Sequence, residues 1–311
     1  MGAYLVTGGA GFIGSHIAET LAGRGERVRI LDNFSSGKKE NLSRFLDRIE
    51  LVEGDIRDPE TCRSAAAGME HVIHQAAFVS VPRSVAEPRL NNDVNITGTL
   101  NMLLAARDAG AWSFVFASSS AVYGDAPGLP KREDQESRPL SPYAVSKLAG
   151  ENYCRIFHSL YGLKTTALRY FNVFGPRQDP GSDYAAVIPR FIGRIHRDEP
   201  PTIYGDGEQS RDFIYVADIV EANILASKAG GVAGAVYNIA CGMSTTVNAL
   251  AAGINAALKK QVTPVYEAER PGDVRLSFAD ISAAWKALAF RPRVSFAEGL
   301  ELTVGWFRDR S

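Results

Sequence analysis

No run of about 18 apolar residues occurs in this 311-residue chain, so a transmembrane helix is not expected. Cysteine is scarce: Cys62, Cys154 and Cys241 are odd in number and far apart. They make no disulfide framework and fit a reducing compartment, which points to the cytoplasm. Neither sign of charge is in excess, with 34 Lys and Arg against 35 Asp and Glu and a formal charge of −1. That balance excludes a nucleic-acid binder working by bulk electrostatics, since such domains usually have a pI above about 9. The first residues, Met1 to Thr7, lack a basic stretch and a cleavage signature, so no secretory leader is expected. Val6 stands where a myristoylation signal needs Ser or Thr. Internal repeats, low-complexity tracts and charge runs are missing as well. The hydrophobic fraction of 45% and charged fraction of 22% belong to an ordinary globular chain with ample core. Its length suits one large domain or two of about 150 residues.

What is present is alternation. Residues 3–7, 28–32, 51–53, 71–75 and 113–117 are short, rich in β-branched or aromatic side chains, and bounded by Gly, Asp or Ser, which predicts strands. The amphipathic stretches between them, 12–23, 39–47, 59–67 and 90–109, predict helices. A long helix over 142–161 and a sixth strand over 165–170 continue the series. Such alternation implies an α/β fold with a parallel sheet covered on both faces. Past Asn172 the rhythm changes: Pro176, Pro180, Pro189, Pro200 and Pro201 interrupt the chain and predict long loops. Helices are predicted over 184–196, 216–228, 246–258 and 296–307, and 236–240 reads as a strand that can rejoin the first sheet. The expected division is a dinucleotide-binding domain over 1–171, rejoined by 213–240, and a smaller domain over 172–212 and 241–311, with a cleft between them.

Thr7-Gly8-Gly9-Ala10-Gly11-Phe12-Ile13-Gly14 ends the first strand and opens the first helix. Glycine is needed where a turn takes positive φ, where backbone approaches a pyrophosphate, and where helix packs on strand. The helix N-terminus then offers free N–H groups and a positive dipole end to the phosphates. With 29 glycines in the chain, the pattern alone is weak. Its strand–turn–helix context strengthens it, as does Asp32 at the end of the second strand, 18 residues beyond Gly14. A carboxylate there accepts hydrogen bonds from both ribose hydroxyls and repels a 2′-phosphate, favouring NAD over NADP.

Tyr143 and Lys147 lie four residues apart, which puts both on one helical face. A free phenol has a pKa near 10, too high for a base at neutral pH. A neighbouring ammonium and the positive ring of bound NAD are expected to lower it. Such a pair suits proton removal from a sugar or alcohol hydroxyl. Ser118-Ser119-Ser120 follows the fifth strand, at the sheet end where ligands bind.

The segments TGGAGFIG, GDI, HQAA, DVNITGT, SSSAVYG, SPYAVSK, RYFNVFGPRQ and RPGDVRLSFAD, with Asp32, resemble extended short-chain dehydrogenase/reductases. The resemblance spans essentially the whole chain and is closest to UDP-galactose/UDP-N-acetylglucosamine 4-epimerases. It implies a doubly wound Rossmann parallel sheet, a smaller irregular C-terminal substrate domain, NAD as cofactor, a UDP-sugar as substrate and a homodimer paired through the helices around 90–109 and 142–161. The implied catalytic trio is Ser119, Tyr143 and Lys147, with Ser120 left open as the hydroxyl or as a substrate contact. Contacts to the dinucleotide are implied for Gly8, Gly11, Phe12, Ile13, Gly14, Asp32, Asn33, Asp55, Ile56, Gln75, Ala76, Ala77 and Asn95, besides Tyr143 and Lys147. Read from the residues alone, Asp55 is also a candidate helix N-cap before Asp58-Pro59.

For the substrate, the resemblance implies that Asn172, Arg211 and Arg270 hold the diphosphate, Asp273 the uridine ribose, and Ile203 and Tyr204 the uracil, with Val187 a further substrate contact. Guanidinium forks suit a diphosphate through bidentate bonds, although ion pairs with Asp212 and Asp273 compete for them. Ser277 matches the family position facing the sugar C2 substituent, where a small residue leaves room for an N-acetyl group. The implied reaction is reversible inversion at C4 of a UDP-hexose through a 4-keto sugar, UDP-glucuronate being an alternative substrate. A 4,6-dehydratase needs an acid beside the catalytic hydroxyl, where Ser120 and Ala121 stand, and a non-catalytic NAD-binding scaffold has no use for the Tyr143/Lys147 pair. No metal site is expected from His71 and His74, which alternate faces on a strand.

Overall fold

The structure, a computed structural model, describes residues 1–179, 187–230, 232–269 and 275–310. Arg270 and Asp273, expected at the substrate site, lie outside the described residues. Seven strands, β1 (Ala3–Thr7), β2 (Arg27–Asp32), β3 (Glu50–Glu53), β4 (His71–His74), β5 (Ser113–Ser119), β6 (Lys164–Tyr170) and β7 (Ala235–Ile239), form one sheet. Every pairing is parallel, in the order β7-β6-β5-β4-β1-β2-β3. The central β1 is buried along its whole length, because helices cover both faces. Ile17, Leu21, Ile219 and Ile224 from the helices Phe12–Gly23 and Val216–Lys228 pack on one face. Cys62, Met102, Leu103, Cys154 and Phe157, from three helices, pack on the other. Strand order reverses between β1 and β4, and such a switch point opens a crevice at the carboxyl ends of the strands. The fold is the doubly wound α/β sheet expected, with β7 joining β6 as its seventh strand.

Several helices end where local chemistry places them. Ser141 caps the helix Pro142–Tyr161 by accepting from the Ala144 N–H, Pro142 occupies its first turn, and Gly162 closes it at φ 72°. Elsewhere tertiary contacts override the pattern. The helix expected over 39–47 is two 3₁₀ turns, Lys39–Asn41 and Leu46–Arg48. There Asn41 donates to the Ala10 carbonyl at 2.8 Å and Leu42 and Phe45 insert into the core, so side-chain anchors replace a regular helix. The helix expected over 90–109 is present as one continuous run, in which Pro88–Asn92 passes into Gly98–Asp108 through a π-helical turn at Asp93–Thr97. Two short helices, Val81–Ala86 and Ser282–Leu288, were not expected.

Beyond β6 the loops organise around three two-stranded pairings. Asn172–Phe174 runs parallel to Phe213–Tyr215, and Thr202–Tyr204 parallel to Val265–Glu267. Ser210–Arg211 pairs antiparallel with Thr245–Thr246. A third apolar cluster, with Phe174, Ile188, Phe191, Phe213, Leu250 and Leu300, fills the space among them and the helices Val187–His196, Val247–Leu258 and Phe296–Arg308.

Candidate active site

A cleft of about 590 Å³ lies at the switch point. Gly8, Gly11, Phe12, Ile13, Gly14, Asp32, Asn33, Asp55, Ile56, Gln75, Ala76, Ala77, Ser119, Tyr143 and Lys147 all line it. Gly8 takes φ +66°, and a Cβ there would come within 2.7 Å of the Ala76 backbone. At Gly14 a Cβ would overlap the Gly8 carbonyl, so helix and turn approach as only glycine permits. Asp32 is 7% exposed, and its carboxylate accepts from the Ala10 and Phe34 N–H groups at 2.9 and 2.8 Å. Burial raises its pKa against those two bonds. Asp55 is no N-cap: Asp58 takes that role, accepting from the Glu60 and Thr61 N–H groups. Asp55 instead accepts from Asn33 at 2.8 Å and pairs with Arg57, whose hydrogen bond brings its carboxyl down to about 2.

At the inner end of the cleft, the end of β5 meets the helix Pro142–Tyr161. Ser119 stands beside the Tyr143 phenol, whose ionised form its hydroxyl favours, and accepts from the Ala121 N–H. Ser118 turns inward, its hydroxyl 2.5 Å from Glu151, which leaves Ser119 as the hydroxyl beside Tyr143. Ser120 begins the 3₁₀ turn Ser120–Tyr123 and does not line the cleft. Lys147 donates to the Ala117 carbonyl at 2.9 Å, with its Nζ 5.8 Å from the centre of the Tyr143 ring. The expected lowering of the Tyr143 pKa counts on bound NAD as well as on Lys147. In the protein alone the Tyr143 pKa is raised, because burial outweighs the favourable effect of the Ser119 hydroxyl. Burial also lowers Lys147 to about 8.

Asn95 stands behind the wall of the cleft. It does not line the cleft; its amide accepts from the Phe78 N–H and donates to Phe78 O, Asn91 and Ser146 at 2.9–3.0 Å. It thus fixes the Phe78 loop that does form a wall.

A second cavity, of about 280 Å³, adjoins the first, with Val173 and Gln178 lining both. Asn172, Val187, Ile203, Tyr204 and Arg211, five residues scattered in sequence, line it together. Ser277 lines neither cavity; its N–H donates to the Ser210 carbonyl at 3.2 Å. The ion pair weighed for Arg211 with Asp212 is not made, because Asp212 is fully buried and accepts from the Cys241, Gly242 and Ala279 N–H groups. The two strand histidines bond elsewhere, His71 to Ser113 and His74 to Thr7 and Thr99.

The profile of the NAD dependent epimerase/dehydratase family matches residues 4–240. The chain belongs to that family. The UDP-glucose 4-epimerase of Mycolicibacterium smegmatis is 39% identical over 313 residues, covering 99% of each chain. A solved UDP-N-acetylglucosamine 4-epimerase from Methanobrevibacter ruminantium, in complex with UDP-N-acetylmuramic acid, is similar with a TM-score of 0.96 and 45% identity, over 100% of this chain and 99% of that one. The UDP-glucose 4-epimerase of Thermotoga maritima with UDP-glucose gives a TM-score of 0.93 and 42% identity, over 99% of each chain.

The cleft fits the cofactor of an NAD-dependent family. Its glycine cradle admits a pyrophosphate at the start of the helix Phe12–Gly23, and Asp32 stands where a ribose would reach. Residues not anticipated also line these walls: Gln178, Arg190 and Gln209 in the smaller cavity, and Phe78, Ser80 and Arg83 in the larger. Gln178 lay within the quoted RYFNVFGPRQ motif, whereas nothing in the local pattern marked Arg190.

Proposed function

We propose that this protein catalyses reversible C4 epimerisation of UDP-hexoses through a 4-keto sugar, acting on UDP-glucose/UDP-galactose and on the N-acetylated pair. The observation carrying this reading is the meeting of the two cavities at Val173 and Gln178. A nucleotide held by Asn172, Val187, Ile203, Tyr204 and Arg211 would extend its hexose toward Ser119 and Tyr143. Tyr143 takes the proton of the 4-hydroxyl, with Ser119 bridging, and gives it back on the opposite face of the sugar. Bound NAD supplies a reversible hydride acceptor for C4. Lys147, fastened to Ala117, places positive charge near the phenol and the cofactor. The enzyme must grip the UDP and let the hexose turn, which suits a nucleotide cavity separate from the reacting corner.

Preference for NAD over NADP is supported by Asp32 in the cleft and by the pairing of three cations on segments that follow β2 and β3. Lys38 meets Asp179 at 3.3 Å, Lys39 meets Glu53 at 3.2 Å and Arg57 meets Asp55 at 2.7 Å. Breadth toward the N-acetylated pair rests on similarity to the Methanobrevibacter enzyme, since Ser277 lines neither cavity. A homodimer through the helix Pro142–Tyr161 is supported by its exposed Val145, Ile156, Leu160 and Tyr161. Burial pushes the Cys62 and Cys241 thiols up to about 12, which fits unreactive cysteines in a reducing cytoplasm. Among the described residues, no helix is long and apolar enough to cross a membrane. Incubation with UDP-glucose, UDP-N-acetylglucosamine, UDP-glucuronate and UDP-xylose, followed by product chromatography, tests the reading. Conversion of the first two is expected; turnover of UDP-glucuronate alone would replace it with a uronate epimerase.

A further inference from the structure

The residues Tyr143, Lys147 and Glu151 recur every fourth position on one face of the helix Pro142–Tyr161. Each engages one of three consecutive residues at the end of β5. Tyr143 meets the Ser119 hydroxyl, Lys147 the Ala117 carbonyl at 2.9 Å, and Glu151 the Ser118 hydroxyl at 2.5 Å. The Glu151 side chain is braced in turn from a third element: Arg169 on β6 donates to its two carboxylate oxygens at 2.8 Å each. Both side chains of that pair are buried, at 4% and 5% exposure, and the Arg169 guanidinium also lies 4.7 Å from the centre of the Tyr123 ring. Helix and strand approach so closely here that a Cβ at Gly150 would overlap the Phe116 ring. Glu151 reaches neither cavity, so the proposed reaction leaves it without a chemical task.

Building on the proposed epimerase reading, we infer that Glu151 is a positioning residue that sets the register between the catalytic helix and β5, and so holds Ser119 against the Tyr143 phenol. The carboxylate, braced by Arg169, pins Ser118, and the peptide after Ser118 carries Ser119. A shift of about 1 Å between such elements can cost on the order of a hundredfold in rate while leaving remote binding intact. The groups around this corner are few. Ser119 faces the phenol from β5, Lys147 stands on the same helix, and the Ser84 hydroxyl accepts from the Tyr143 N–H at 3.1 Å. His74 on β4, beside Lys147, is kept neutral by burial, with a pKa of about 3. The Ser119 bond lowers the Tyr143 pKa, so loss of register must raise it.

Glu151→Gln tests this through two readouts. Phenolate absorbance, taken as the difference between each protein and its Tyr143→Phe counterpart, is expected to show the Tyr143 titration moved upward by about half a unit to one unit. Turnover is expected to fall by about 30- to 100-fold with KM for the UDP-sugar within about threefold. If Glu151→Gln does not fold, Ser118→Ala removes the same contact while keeping the Glu151–Arg169 pair, and the same upward titration is expected. An unmoved Tyr143 titration in either folded variant overturns the inference, including the case of lower turnover accompanied only by lower melting temperature. A titration that moves in a protein inactive on every UDP-sugar upholds the inference and removes the epimerase reading instead.

Discussion

At Tyr143 two effects oppose one another: burial disfavours the phenolate, and the Ser119 hydroxyl favours it. Reaction at this corner therefore depends on positive charge brought next to the ring, and Lys147 is the side chain placed to contribute it. Tyr143→Phe removes the proton acceptor without touching the nucleotide cavity. Its turnover is expected to fall by about three orders of magnitude or more, with the Kd for UDP within about threefold by calorimetry. Retention of more than about a tenth of the rate would show that another group is the base. Lys147→Met is expected to lower both turnover and NAD affinity, because its ammonium holds the Ala117 carbonyl at one wall of the cleft. Fluorescence titration with NAD separates the two losses.

The first helix shows how an element can make stability depend on pH. His16, on the helix Phe12–Gly23, bonds the Pro176 carbonyl at 2.9 Å, two residues before Gln178 joins the two cavities. Burial lowers its pKa to about 4, against an ordinary value of 6.5. The folded protein binds this proton less tightly than the unfolded chain does. The stability it contributes is thus present above pH 6.5 and is lost as pH falls through that value toward about 4. His16→Gln keeps a donor for the same carbonyl and cannot titrate. Its melting temperature is expected to drop less than the wild type's between about pH 7 and about pH 4.5. Equal drops in both proteins would remove His16 as a cause.

Elements defined by their own sequence were legible before any contact was known. The helices Phe12–Gly23, Pro142–Tyr161 and Val216–Lys228 begin and end where periodicity places them, and capping chemistry adds to the second. The helix expected over 90–109 was legible too, but its π turn at Asp93–Thr97 was not, since Asn95 there bonds to Phe78 and Ser146 from other parts of the chain. The same division runs through the site. Glycine spacing and the Tyr143/Lys147 pair announced the cleft, since their chemistry is local. Arg190 was invisible because only the fold brings its helix beside Arg211. Ser277, a position inferred from a motif, lines neither described cavity, and the motif residues Arg270 and Asp273 beside it lie outside the described residues.

For the whole molecule, the exposed Val145, Ile156, Leu160 and Tyr161 would leave an apolar stripe facing water in a monomer. Sedimentation at micromolar concentration is expected to give a species of about 67 kDa, twice the 33.6 kDa chain. Val145→Asp with Leu160→Asp, two exposed positions, is expected to return the monomer. A wild-type monomer would assign the stripe another role.

The joining of the two cavities makes a closed reaction the central claim: a hydrogen that leaves C4 returns to C4 of the same sugar. UDP-galactose deuterated at C4, incubated with the NAD-loaded protein in ordinary water, tests it most directly. The UDP-glucose formed is expected to retain its deuterium at C4, with no net accumulation of NADH. Loss of the label to solvent, or NADH accumulating in step with substrate consumed, would contradict it.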